Sequence, residues 1–132
     1  MIEVSPDNQD LYLDSAVLNL QSFYTGLERI FELVARGIDL HIPDGENWHL
    51  DLLRQMASDL PDVRPAIISQ KSALRLDEYR RFRHLVRNIY TDNLRPERMA
   101  GLLVTLPDLW FTVKTELLAY ADLLQQIEES DQ

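Results

Sequence analysis

Cysteine is absent from the chain. That excludes disulfides, thiolate metal sites and a cysteine nucleophile, and it fits a reducing compartment. There is no Gly-rich phosphate loop and no serine-centred nucleophile motif. No stretch alternates apolar and polar residues as a half-buried strand does, and no internal repeat or low-complexity tract occurs. The apolar runs are only a few residues long, far short of a membrane span, so no membrane association is expected. The first residues, Met-Ile-Glu-Val-Ser-Pro-Asp, lack a basic stretch followed by an apolar run. No signal peptide is expected from them, and a cytoplasmic location is.

What is present is an ordinary globular composition, 45% hydrophobic and 27% charged over 132 residues, enough for one domain spanning 1–132 with its own core. The net charge of −9 is unevenly spread. From Lys71 to Arg98, eight basic residues (Lys71, Arg75, Arg80, Arg81, Arg83, Arg87, Arg95, Arg98) face four acidic ones (Asp77, Glu78, Asp92, Glu97). This segment carries +4, leaving −13 for the other 104 residues. Such asymmetry points to an anionic partner, or to an acidic protein face, at the basic segment. The alternative is that these arginines pair with the chain's own acidic helices.

Residues 1–9 are polar and expected to be loose, with Ser5-Pro6-Asp7 marking a turn or helix entry. From Asp10 to Gly37 apolar residues recur at steps of three and four (Leu13, Ala16, Val17, Leu20, Phe23, Tyr24, Leu27, Ile30, Phe31, Val34), predicting a helix of roughly 40 Å. Gly26 inside it is expected to mark a close helix contact, and Gly37 a stop. Pro43-Asp44-Gly45 is turn chemistry, and Asn47 can cap a second helix over 48–60. Pro61 and Pro65 bracket a connector. Ser69 opens a third helix to about Asn93, and Pro96 a fourth to about Val104. Thr105-x-x-Asp108 resembles a capping box starting a fifth helix, with Trp110, Val113, Leu117, Ala121 and Leu124 as its stripe and 128–132 frayed. The expectation is an all-α antiparallel bundle of four to five helices.

The third helix carries Tyr79-Arg80-Arg81-Phe82-Arg83-His84-Leu85-Val86-Arg87-Asn88-Ile89-Tyr90. At about 100° per residue, Phe82, Leu85, Val86 and Ile89 form a core stripe. Arg80, Arg83, His84, Arg87 and Asn88 form a separate polar ribbon, edged by Tyr79 and Tyr90, with His84 and Asn88 surface neighbours four apart. A phosphodiester suits this ribbon. Arginine forks match phosphate oxygens, and an imidazole can move a proton near neutrality. RNA supplies its own nucleophile, the 2′-hydroxyl, so cleavage without metal or cofactor needs only acid–base and cationic assistance. A solvated or ion-paired face is the plainer reading of the same residues.

His41 and His49, with Asp44 and Glu46, match no closed metal-ligand set, and both histidines read as surface residues near a turn. Trp48, Trp110 and Phe111 read as core or dimer-interface residues rather than base-stacking platforms. Glu32 and Arg36 are spaced as an i,i+4 pair.

Three stretches carry a family resemblance: Phe23-Tyr24-Thr25-Gly26-Leu27-Glu28-Arg29-Ile30-Phe31, Trp48-His49-x-x-Leu52-Leu53, and above all Glu78 to Tyr90. Through them the chain resembles the HepT-like branch of the HEPN superfamily, ribonuclease toxins paired with minimal nucleotidyltransferase antitoxins. The family signature is an arginine, usually a polar residue after it, then four to six residues to a histidine, often with a tyrosine two positions further on. Aligned on that tyrosine, Tyr90 takes its place and Arg83 the arginine's. Asn88 then stands at the histidine position, and His84 where the family often has asparagine. The two residue types are exchanged, and no arginine lies five to seven residues before His84.

The resemblance implies a homodimer whose two copies of this helix line a shared cleft. It also implies a nucleotidyltransferase partner that in some systems adenylylates the tyrosine, here Tyr90, a residue that otherwise reads as an ordinary helix-interface phenol. Two functions follow from it. In the first, a metal-independent endoribonuclease, Arg83 and Arg87 hold phosphate beside Arg80, His84 is the acid or base, Asn88 orients it and Tyr90 is the modification site. In the second, a module without catalysis uses the same ribbon to bind a nucleotidyltransferase or nucleic acid.

Overall fold

The computed structural model describes residues 6–88 and 96–130. Among these residues four α-helices form: α1 Pro6–Val34, α2 Trp48–Met56, α3 Gln70–Asn88 and α4 Pro96–Ser130. The all-α bundle expected from the sequence is what the chain builds. α1 and α3 each pack against the other three helices. The α1 face at Ala16, Leu20, Tyr24, Leu27 and Phe31 is buried, following the three-and-four spacing of the sequence. Leu52, Leu53 and Met56 of α2, Leu76, Tyr79 and Phe82 of α3, and Met99, Leu102, Leu109, Val113 and Tyr120 of α4 close around it. The α4 stripe therefore runs through Leu109, Val113 and Tyr120, while Trp110, Phe111 and Leu124 stay exposed. No helix among the described residues is long and apolar enough to cross a membrane.

The expected break between a fourth and a fifth helix does not occur. α4 runs straight through Pro107. The proline leaves the Leu103 carbonyl without its i+4 donor. Side chains occupy the turn before it: Thr105 Oγ1 donates to the Gly101 carbonyl (3.0 Å) and the Tyr79 hydroxyl to the Leu102 carbonyl (2.7 Å). Thr105 is thus a helix-interior residue bonded backwards, not an N-cap.

α1 likewise does not stop at Gly37. It widens into a π-turn, Ala35–Asp39, and ends where Leu40 adopts the left-handed conformation (φ 56°). The cause lies in the connector between α2 and α3. Arg64 spends all five of its N–H donors on Asp39 Oδ1 (2.6 Å) and Oδ2 (2.7 Å) and on the carbonyls of Gln55, Ser58 and Pro65. Gln55 Nε2 donates to the same Asp39 carboxylate. Both charged side chains are buried, so the pair fixes where α1 must end and how the 57–69 segment folds back on α2. That fold-back ends α2 at Met56, short of Leu60. No ion pair joins Arg36 to Glu32 among the described residues.

Pro43-Asp44-Gly45 does make a turn, with Gly45 at φ 105°. Asn47 takes the N-cap position of α2 without a side-chain bond, whereas Ser69 caps α3 by accepting from the Ser72 N–H (3.0 Å). Gly26 marks no close helix contact. A side chain there would meet nothing within 4 Å, because the residue faces open grooves on both sides of α1.

Candidate functional site

The site lies where α3 crosses α1 and the start of α2. Its organising residue is Arg83, and its position corrects the ribbon drawn from the sequence. The buried face of α3 runs through Ser72, Leu76, Tyr79 and Arg83, with Leu85 and Val86 only half-buried. Arg83 is therefore in the core face, 3% exposed, rather than on the outer ribbon. It can be there because α1 supplies a counterion and an aromatic face. Nη2 donates to Glu28 Oε1 (2.8 Å), Nη1 donates to Thr25 Oγ1 (3.2 Å), and the guanidinium carbon lies 4.8 Å from the centre of the Tyr24 ring. A wheel that counts only apolar residues assigns every arginine to solvent and so cannot find this.

Glu28 has a second partner. Its Oε2 lies 2.8 Å from Nδ1 of His49, whose ring stacks on Trp48 (centroids 3.6 Å apart, planes 29° apart). Arg83 Nη2 is also near this nitrogen, at 3.0 Å. Both contacts cannot fix the same tautomer. The carboxylate contact is the shorter, and two lone pairs facing each other at that distance would repel. Arg83 Nη2 already has Glu28 Oε1 as an acceptor. The carboxylate is the stronger acceptor and the closer partner, so the geometry favours Nδ1–H donating to Glu28, with the lone pair on Nε2.

His49, Arg80, Arg83, His84 and Arg87 together line a notch of about 30 Å³, the space of a single ligand oxygen or water. Arg80 leans on Asp77 (2.6 Å), which also takes Arg81 (3.2 Å). Arg75 pairs with Asp108. Self-pairing thus accounts for Arg75, Arg80, Arg81 and Arg83. His84 and Arg87 are exposed, and Arg87 has no ion pair among the described residues. Beyond the notch, Arg87 also borders a wider groove of about 530 Å³, with Gln21, Ser22, Thr25, Gly26 and Arg29 along α1. Notch and groove form a cationic track from α2 across α3 to α1.

The structure brings Arg80, Arg83, His84 and Arg87 of the sequence candidates to one place. Asn88 is the last described residue of α3 and its side chain lies outside the described residues, as does Tyr90. His41 is exposed in the loop and does not join His49. Among the described residues, no group of three or more His, Asp or Glu is arranged to hold a metal ion. Sequence reasoning missed Glu28, His49 and Arg29. A signal existed: Glu28 sits at helical spacing among Tyr24, Leu27 and Phe31, and Arg83 among Leu76, Tyr79 and Val86. Two opposite charges inside two core stripes predict a buried pair.

Tyr24 sits beneath this cluster, fully buried, with no hydrogen-bond partner for its hydroxyl among the described residues. Burial first, and the Glu28 charge second, push its pKa well above the usual tyrosine range.

A family model described as HepT-like protein matches residues 15–124, a span containing all the described residues of the notch and groove. No curated protein and no solved structure matches the chain.

Proposed function

Since the chain belongs to the HepT-like family, we propose that it is the toxin of a toxin–antitoxin pair: a metal-independent endoribonuclease, neutralised by a nucleotidyltransferase antitoxin. The observation that carries this reading is the notch, where His84 and Arg87 stand exposed beside His49 and Arg80. An imidazole next to guanidiniums is what in-line attack by a ribose 2′-hydroxyl requires. The imidazole moves the proton, and the cations hold the phosphorus-bound oxygens as negative charge grows on them. Arg87 is the phosphate ligand in this scheme, with Arg80 beside it. Arg83, a nearly buried wall of the notch paired with Glu28, holds the site in shape.

The reading extends to a homodimer and to Tyr90 as the residue the antitoxin adenylylates. Val104, Phe111 and Leu118 recur every seven residues along α4, and each is more than half exposed. One helix face of this kind becomes dry when two copies meet, which supports the dimer. Mass spectrometry after incubation with the nucleotidyltransferase and ATP tests the acceptor; equal modification of a Tyr90→Phe variant excludes it.

A second reading, a binding module without catalysis, is favoured by one observation: Arg80, Arg81 and Arg83 are already paired within the chain. The two readings separate when purified protein is incubated with RNA in chelator beside His84→Ala and Arg87→Ala. Cleavage by the parent that is lost in both folded variants supports the ribonuclease. An inert parent that still binds RNA or the nucleotidyltransferase supports the module.

A further inference from the structure

We infer that His49, oriented by Glu28, is the general base of this site, making a two-histidine ribonuclease centre of His49 and His84 with Arg83 as a positioning residue. The inference rests on the ribonuclease reading above and adds to it a second proton-transfer group from a different helix.

Three features set His49 apart from a surface histidine. Its Nδ1 is held at 2.8 Å by a carboxylate that is itself buried, which fixes the tautomer. Its ring is clamped against Trp48, which fixes the plane. It is not sealed in, because 28% of the side chain is accessible and it forms a wall of the same notch as His84. A histidine serving only to neutralise Glu28 would be redundant, since Arg83 already does so at 2.8 Å. The carboxylate–imidazole arrangement is the one that readies a ring nitrogen to accept a proton and then steadies the imidazolium as it forms. The charged groups facing His49 are Glu28 from α1 and Arg80, Arg83, His84 and Arg87 from α3.

The step balances without any co-reactant. Nε2 of His49 takes the proton of the ribose 2′-hydroxyl, and O2′ bonds to phosphorus. The P–O5′ bond breaks with its electron pair on O5′, which takes a proton from the protonated His84 ring. The products are a 2′,3′-cyclic phosphate and a 5′-hydroxyl end. Exchange with water returns both rings to their starting states.

The test uses the full chain, a fluorogenic oligoribonucleotide and chelator. Folded His49→Gln should lose about a hundredfold or more in kcat with KM nearly unchanged, and one limb of the bell-shaped pH–rate profile should vanish. Glu28→Gln, acting through His49, should lower kcat rather than raise KM. Ring ¹⁵N NMR of the unaltered protein should show Nδ1 protonated and Nε2 bare, a readout that needs no variant to fold. If the parent cleaves RNA but His49→Gln keeps its kcat and both limbs, His49 is not the base and the ribonuclease reading survives. The opposite tautomer overturns the inference by itself. A parent inert toward RNA overturns both.

Discussion

Replacing Arg83 with leucine tests whether this arginine is scaffold or ligand. The pair it makes with Glu28 is almost dry, with side chains 4% and 7% exposed. Removing the guanidinium leaves the buried carboxylate without its cationic partner, with only the His49 N–H remaining, at a cost of about 3–5 kcal/mol. The unfolding entropy of a chain this size is about 0.28 kcal/mol per kelvin, so the melting temperature should fall by about 11–18 °C. Arg87→Leu, at an exposed position, should change stability by less than about 0.5 kcal/mol, a shift of about 2 °C. Thermal unfolding followed by circular dichroism at pH 7 reads both. Arg83→Leu/Glu28→Leu should recover part of the loss, because both buried charges are gone and only the His49 Nδ1–H, on a part-exposed ring, loses its acceptor. The contrast bears on function as well. Activity lost in Arg83→Leu at a temperature where it is half unfolded says nothing about phosphate, whereas activity lost in a fully folded Arg87→Leu does. A melting temperature for Arg83→Leu within about 3 °C of the parent would refute the reasoning, and Arg83 would then be free to serve as a ligand.

Tyr24→Phe removes a buried, unpartnered hydroxyl and should leave stability at pH 8 unchanged or raised by about 1 kcal/mol in urea titrations. The same variant should flatten the alkaline limb. Tyr24 has a folded pKa raised above that of the unfolded chain, so its contribution is complete below about pH 10 and is lost as pH climbs toward the folded value. Burial raises Tyr79 and Tyr120 in the same direction, so the limb should shrink rather than vanish. Along the groove, Arg29→Ala and Arg87→Ala should each weaken binding of single-stranded RNA and cut the slope of log K against log salt by about 0.7, measured by fluorescence anisotropy. Phe111→Glu puts a charge on the exposed α4 face and should convert the proposed dimer to monomer in light scattering, with little change in monomer fold.

How much of this was legible depended on whether a residue follows its type. The α1 core at Leu20, Tyr24, Leu27 and Phe31 could be read because apolar spacing and burial coincide. Ser69 capping α3 followed the same local chemistry. Pro107 did not: α4 continues through it, and the Thr105 read as a cap bonds back to the Gly101 carbonyl inside the helix. The π-turn was illegible because its cause, Arg64, lies 25 residues from Asp39. In the site, His84 and Arg87 could be found from one helix alone. Arg83, Glu28 and His49 belong to three helices, and only packing shows that they form one cluster.

The most direct measurement is cleavage, in chelator, of an oligodeoxynucleotide carrying a single ribonucleotide, with the end groups identified by mass spectrometry. A centre that uses the substrate's own 2′-hydroxyl should cut only on the 3′ side of that ribose, leaving a 2′,3′-cyclic phosphate and a 5′-hydroxyl. An intact strand, or cutting at deoxyribose positions, would contradict the account.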